Sequence, residues 1–212
     1  MDTILSRNAS MYPDVDQDKA YKWLPKVDDD KTYSWLEMFD YMHEGKFRGF
    51  FAWGQNPCCS SANANKARES LSQLDWMVNV NLFDNETGSF WKGPDMDPSK
   101  IKTEVFFLPC CAFLEKEGSI TNSGRWMQWR YQGPKPYATT KSDGHIICEL
   151  MSRLRWLYRN KDGKFPEPVL NLGYHLWQDS HGYNAQKIAK LINGFFLKDT
   201  QVNGKNFKKG QQ

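Results

Sequence analysis

The chain has 212 residues, of which 28 are Lys or Arg and 25 are Asp or Glu, leaving a formal net charge of +3. That near balance argues against a protein built to grip a phosphate backbone, which concentrates positive charge on one face. A hydrophobic fraction of 40% suits one packed core, no apolar run approaches the roughly 20 residues that span a bilayer, and the opening MDTILSRNASMYPDVDQDK lacks the apolar centre of a secretory signal.

Residues 1–31 are rich in Asp, Lys, Pro and Tyr without periodicity and read as an amino-terminal arm. From Thr32 to His43, Trp35, Leu36, Phe39 and Met42 recur at helical spacing, and Gly45 supplies a stop. Phe47 to Trp53 is a short aromatic-rich run bounded by Gly54, the pattern of a buried strand. Ser61 to Leu74 predicts a helix with Ala64, Ala67, Leu71 and Leu74 on one face. Asp75 to Val80 predicts a second strand, so strand, helix and strand follow within about thirty residues, a βαβ unit whose right-handed crossover makes the strands parallel. A third strand, Glu104 to Leu108, ends at Pro109 and opens into a long polar loop that reaches Gln132. Asp143 to Tyr158 predicts another helix, with Ile147, Leu150, Met151, Leu154 and Leu157 on one face and Glu149 and Arg153 as an i,i+4 pair. Residues 160–212 mix Gly, Pro, Lys and aromatics and read as irregular connecting structure. The chain is thus expected to be an α/β domain over 32–159 with irregular arms, and it shows no internal repeat.

In an open parallel sheet, ligands bind beyond the carboxyl ends of the strands. Those ends are Gly54-Gln55-Asn56-Pro57, Asn81 to Thr87 and Pro109 to Gly118, all expected along one edge. The turn GQNP offers backbone N–H groups and amides to a phosphate or ribose, although a plain βα turn would read the same. It is neither GxGxxG nor a P-loop. Asn81, Asp84, Asn85 and Thr87 could read a ribose or base edge, or cap a short helix. Glu117 and Gly118, followed by Asn122-Ser123-Gly124-Arg125, combine glycines with an Arg suited to bidentate anion contacts, against a plain solvated surface. Trp126, Trp129 and Tyr131 beside Arg125 and Arg130 could stack a base or cover an interface. Five cysteines, as Cys58-Cys59, Cys110-Cys111 and Cys148, suit neither a disulfide framework nor spaced metal pairs. His43, His145, His175 and His181 have no metal-site spacing. No catalytic residue and no metal ligand is expected.

GQNP, then NVNLFDNETGSFW, then TEVFFLPCCAFLEKEGSITNSGRWMQWRY, in that order and spacing, resemble the catalytic subunit of molybdenum- or tungsten-dependent formate dehydrogenases, within the molybdopterin oxidoreductase superfamily. The resemblance runs from about Tyr12 to Asp199 and is strongest from Gly49 to Tyr131. It implies a parallel-sheet, dinucleotide-binding-like domain that holds one molybdopterin guanine dinucleotide. Gly54, Gln55 and Asn56 would contact phosphate and ribose, and Asn81, Asn85 and Thr87 the guanosine. Asp84 would stand in for the Asp that many relatives have where Asn81 lies. Glu117, Gly118, Asn122 and Arg125 would face the cofactor and a neighbouring domain. The family's [4Fe-4S] cysteine cluster, metal ligand and substrate-binding Arg would lie upstream and its last domain downstream, so the chain is expected to be an internal fragment, inactive alone. Its implied partners are the rest of the subunit, an iron–sulfur electron-transfer subunit and formate, in the periplasm. The alternatives are a stand-alone nucleotide- or pterin-binding module and, against the charge balance, a single-strand nucleic-acid binder using Arg125, Trp126, Trp129 and Arg130.

Overall fold

The computed structural model describes residues 11–24, 26, 28, 30–31, 33–180, 182–193, 196 and 198–211. In chain order these form α1 (Gln17–Trp23), α2 (Trp35–His43), β1 (Gly49–Trp53), a one-turn helix α3 (Pro57–Ser60), α4 (Ala64–Leu71), β2 (Trp76–Asn81), β3 (Glu104–Pro109), β4 (Gly118–Thr121), β5 (Met127–Arg130), α5 (Asp143–Asn160), α6 (Pro166–Leu170), β6 (Gln178–Asp179), β7 (Gly182–Tyr183), α7 (Ala185–Asn193), β8 (Thr200–Val202) and β9 (Lys205–Phe207). Two compact units result: Val27–Glu115 with Pro134–Asp143, and Met1–Lys26 with Lys116–Gly133 and Gly144–Gln212.

The first unit is built on a parallel sheet in the order β1-β2-β3, with Gly49 opposite Trp76 and Trp76 opposite Glu104. The strand–helix–strand reading of the sequence therefore holds. Local chemistry sets the helix starts. Glu37 N–H donates to Ser34 Oγ at 3.1 Å and Ser34 N–H to the Glu37 carboxylate at 3.2 Å, a capping box that opens α2. Thr32, the predicted start, lies outside the described residues. Asn63 accepts from Lys66 N–H at 3.0 Å and opens α4 two residues after the predicted Ser61.

In register across the sheet, Phe50, Met77 and Val105 pack with Phe39, Met42, Ala67, Leu71, Leu74 and Phe90 into one core. The predicted burial of the first strand needs correcting. On the opposite face Phe51 is 40% exposed, Trp76 36%, Phe106 46% and Leu108 37%. Two right-handed crossovers that step in one direction along a sheet both fall on one face, so α4 and the 82–103 segment cover a single side. On the other side Gly49 is matched to Trp76: a Cβ at Gly49 would stand inside the indole ring. Gly49→Ala is expected to lift Trp76 off the sheet and cost about 1–2 kcal/mol, as overpacking does, read as a lower urea midpoint. An unchanged midpoint would mean that the ring swings away freely.

Residues 134–143 return to this unit. Lys141 bridges Cys110, with Cys111 N–H donating to Lys141 O at 3.0 Å, and Trp53 Nε1–H donates to Asp143 Oδ1 at 2.8 Å.

The second unit corrects four readings. The loop after Pro109 contains an antiparallel hairpin, β4 with β5, in which Ser119 faces Trp129. Ile120, Thr121 and Trp129 are strand formers, and Asn122 turns the chain by accepting Arg125 N–H at its carbonyl (2.9 Å) and Gly124 N–H at its side chain (3.1 Å). The amino-terminal arm contains α1, capped where Asp16 accepts Lys19 N–H at 3.0 Å. The carboxy-terminal segment holds α6, α7 and the hairpins β6–β7 and β8–β9, the last turned by Asn203 and Gly204 at φ 50° and 75°. Its core joins Tyr12 and Ala20 to Leu172 and Tyr174. α5 runs as predicted, but Ile146 and Cys148 are its buried residues, while Ile147 and Leu150 of the predicted face are 48% and 39% exposed. The face that meets the Tyr174 and Gln178 region is the one carrying Met151 and Cys148.

Among the described residues no helix is long and apolar enough to cross a membrane.

Candidate functional site

The parallel register brings the carboxyl ends of β1, β2 and β3 to one edge. Gly54 N–H, just past β1, donates to Val80 O at 2.9 Å, and Cys110 N–H, just past β3, donates to Asn81 O at 2.9 Å. Gly54 has φ 62°, so a glycine lets the chain leave β1 into the turn without a Cβ penalty.

Side chains then lock the turn to the loop after β2. Asn56 Oδ1 accepts from Thr87 N–H at 3.2 Å and from the Thr87 hydroxyl at 2.8 Å, while its Nδ2–H donates to Glu86 Oε2 at 2.6 Å. The Thr87 hydroxyl also accepts from Cys58 N–H at 3.1 Å. Thr87 is fully buried, so it shapes the turn from behind. The Asn56 bond holds the Glu86 carboxyl below its usual pKa, with a backbone bond assisting. Gln55 O accepts from Asn81 Nδ2–H at 3.3 Å and from Asn85 Nδ2–H at 3.4 Å. Asn85 Oδ1 in turn accepts from Gly88 N–H at 2.9 Å and from Asn79 Nδ2–H at 3.1 Å. Asp84 accepts from the Ser89 hydroxyl.

Gly54, Gln55, Asn56, Asn81, Asp84, Asn85 and Thr87 thus sit in one cluster of the first unit. Among the described residues, the Gln55 side-chain amide and the backbone N–H groups of Gln55 and Asn56 have no partner within the chain. They are the donors left for a ligand. An open pocket of about 440 Å³ adjoins the cluster, with Asp84, Asn85 and Glu86 on its lining beside Arg68 and Lys92; the turn 54–56 is not part of it.

Glu117, Gly118, Asn122 and Arg125 lie in the second unit. Glu117 Oε1 accepts from Trp129 Nε1–H at 3.3 Å and Gln186 Nε2–H at 3.0 Å. Gly118 opens β4, and Arg125 holds a left-handed φ of 59° at the hairpin turn.

Sequence reading missed Glu86, Asn79 and Gly88. Glu86 stands between two recognised residues, so its position was the available signal. Asn79 is fully buried in β2 with its Oδ1 unpaired among the described residues; a polar residue between Met77 and Asn81 on the covered face was the clue. A Cβ at Gly88 would collide with Asn79 and Asp84.

Among the described residues no three His, Cys, Asp or Glu groups gather to hold a metal. His181 lies outside the described residues. None of the cysteines is in a disulfide, and Cys59 is exposed while the other four are buried. Burial pushes the Cys58 and Cys148 thiols up. Thiol titration of the native chain near pH 8 is therefore expected to show one fast group, Cys59, and four that react on denaturation. A second fast thiol would contradict this burial.

No protein-family model matches the chain. It is 61% identical over 204 residues to the formate dehydrogenase alpha subunit of Megalodesulfovibrio gigas, covering 96% of this chain and 20% of that one. It is 40% identical over 196 residues to the alpha subunit of formate dehydrogenase 2 (cytochrome c-553) of Nitratidesulfovibrio vulgaris, covering 92% and 19%, and 38% identical over 197 residues to the nitrate-inducible formate dehydrogenase major subunit of Escherichia coli, covering 90% and 19%. The chain spans about a fifth of the length of these relatives.

Proposed function

We propose that this chain, an internal segment homologous to formate dehydrogenase catalytic subunits, supplies part of the cradle for a molybdopterin guanine dinucleotide in an enzyme oxidising formate to carbon dioxide. The observation that carries the reading is the 61% identity extending over 96% of the chain, and therefore over all three strand ends. The donors at the edge fit the group. Gln55 and two backbone N–H groups at a glycine-opened turn suit phosphate and ribose oxygens, and the Asp84 carboxylate suits base and sugar N–H and O–H groups. Asn81 and Asn85 hold the Gln55 carbonyl, while Thr87 and Glu86 fix Asn56. Glu117, Gly118, Asn122 and Arg125 of the hairpin are a separate part of the proposal, as residues that face the cofactor and a neighbouring domain. When bound, the cofactor with molybdenum or tungsten supplies the redox centre; these residues hold and orient its nucleotide. The [4Fe-4S] centre, the metal ligand, an iron–sulfur partner subunit and a periplasmic setting belong to the proposed whole enzyme.

In the longer subunit, Asn56→Ala is expected to lower pterin content about tenfold, roughly 1.4 kcal/mol, the scale of one lost hydrogen bond. Glu86→Ala should act through the same side chain, so the double variant should lose little more than either single one. Unchanged pterin and metal occupancy in Asn56→Ala would reduce the turn to a plain connection.

A further inference from the structure

We propose that Asn79, buried in the central strand, is a positioning residue for the nucleotide site: through Asn85 it sets which way the Gln55–Asn56 peptide faces, and so aims the Asn56 N–H at the ligand. The inference rests on the reading of the strand ends as a nucleotide cradle and adds a residue that acts on it through a relay of amides. Asn79 is fully buried in β2, between Met77 and Val80 that are equally buried, and its Oδ1 has no hydrogen-bond partner among the described residues. A buried acceptor left unsatisfied costs about 1–3 kcal/mol. The surroundings nevertheless make room for this amide. Ala52, its fully buried neighbour across the sheet, is small, and a Cβ at Gly88 would collide with Asn79 Nδ2. What an apolar side chain could not supply here is the Nδ2–H, which donates to Asn85 Oδ1 at 3.1 Å.

An Asn side chain can sit either way round, with its oxygen and its nitrogen exchanged. Asn85 Oδ1 accepts two N–H groups, from Asn79 and from Gly88 at 2.9 Å, so its oxygen faces β2 and its Nδ2–H is left to donate to Gln55 O at 3.4 Å. Asn81 Nδ2–H brings a second donor to the same carbonyl at 3.3 Å. Both bonds are long, so holding the Gln55 carbonyl toward the β2 loop takes the two together. The peptide bonds here are trans, and across a trans peptide the C=O and the following N–H point in opposite directions. The Asn56 N–H is therefore turned away from the loop, and it has no acceptor within the chain among the described residues. Without the Asn79 donor only Gly88 N–H fixes the Asn85 oxygen. A reversed Asn85 amide would set that oxygen against the Gln55 carbonyl, two acceptors face to face, and release the peptide to present C=O where a phosphate or ribose oxygen needs N–H.

The test is Asn79→Val, which suits a strand and removes the orphaned acceptor together with the donor. In the longer subunit it is expected to lower pterin content about fivefold, within the range that one hydrogen bond spans, and Asn79→Val with Asn85→Ala should lose little more than Asn85→Ala alone. In the 212-residue chain the urea midpoint should hold or rise, while the carbonyl carbon resonance of Gln55 moves as its hydrogen bonding weakens, a signature that a packing role would not produce. A fallen midpoint with the Gln55 resonance unmoved would overturn the proposal in favour of plain packing. Unchanged pterin in Asn79→Val beside a loss in Asn56→Ala would overturn it while leaving the cradle reading intact. Unchanged pterin in both variants would instead overturn the cradle reading and this inference with it.

Discussion

Phe90→Ala is expected to lower the stability of the sheet unit by about 3–5 kcal/mol, the largest single-residue effect foreseen here. Phe90 is fully buried and packs, from a 3-10 turn in the segment joining β2 to β3, among Phe39, Leu71 and Met77. Trp91, Met96 and Ile101 of the same segment also pack on that core but are only partly buried. With natural stabilities of roughly 5–15 kcal/mol and urea slopes of about 1–3 kcal/mol/M, the midpoint should fall by about 1 M or more. Phe90→Leu, which keeps most of the volume, should cost about 1.5 kcal/mol or less. Equal losses in the two variants would mean that the cavity is not the cause.

Thr87→Val should cost about 2–3 kcal/mol, because an isosteric change deletes the one group that both donates to Asn56 (2.8 Å) and accepts from Cys58 N–H (3.1 Å) in a buried position. Thr87→Ser keeps both bonds and should be milder. Equilibrium unfolding ranks the two. Should Ser prove as damaging as Val, the methyl group rather than the hydroxyl would be what the fold uses. In the longer subunit the same substitution should reduce pterin retention, since it frees the Asn56 side chain that shapes the turn.

How much of this was readable beforehand follows from the length scale of each signal. Gly54 after an aromatic run, the apolar face of Ala64, Ala67, Leu71 and Leu74 and the repeat of strand patterns at βαβ spacing are local, and they delivered the parallel sheet and the edge at which its strands end. The exposure of Phe106 and Leu108 was not local: it depends on which side the connections fall, and a continuous apolar run looks the same when one face is open. The β4–β5 hairpin was masked by the charges of Glu115, Lys116 and Glu117, which drew attention from the alternation after Gly118. Asn203-Gly204 flanked by Val202 and Lys205 was a legible hairpin turn, passed over among many lysines. At the edge, residue type identified Asn56 and Thr87, yet type alone cannot distinguish an amide that meets a ligand from one consumed by a neighbouring side chain. That difference lies in the Glu86–Asn56–Thr87 bonds.

The way the two units are threaded also orders their assembly in time. The sheet unit is nearly one continuous stretch, Val27–Glu115, whereas the other collects three separated stretches and joins Tyr12 to Leu172 in one core. Closing so long a loop costs about 1.5 kcal/mol more than closing the short crossovers of the sheet, and its last stretch leaves the ribosome late. The sheet can therefore form while the chain is still being made, and the amino-terminal residues must wait for the carboxy-terminal ones. A message stalled before Leu172 would yield a folded sheet with Tyr12 and Ala20 lacking their core partners Leu172 and Tyr174.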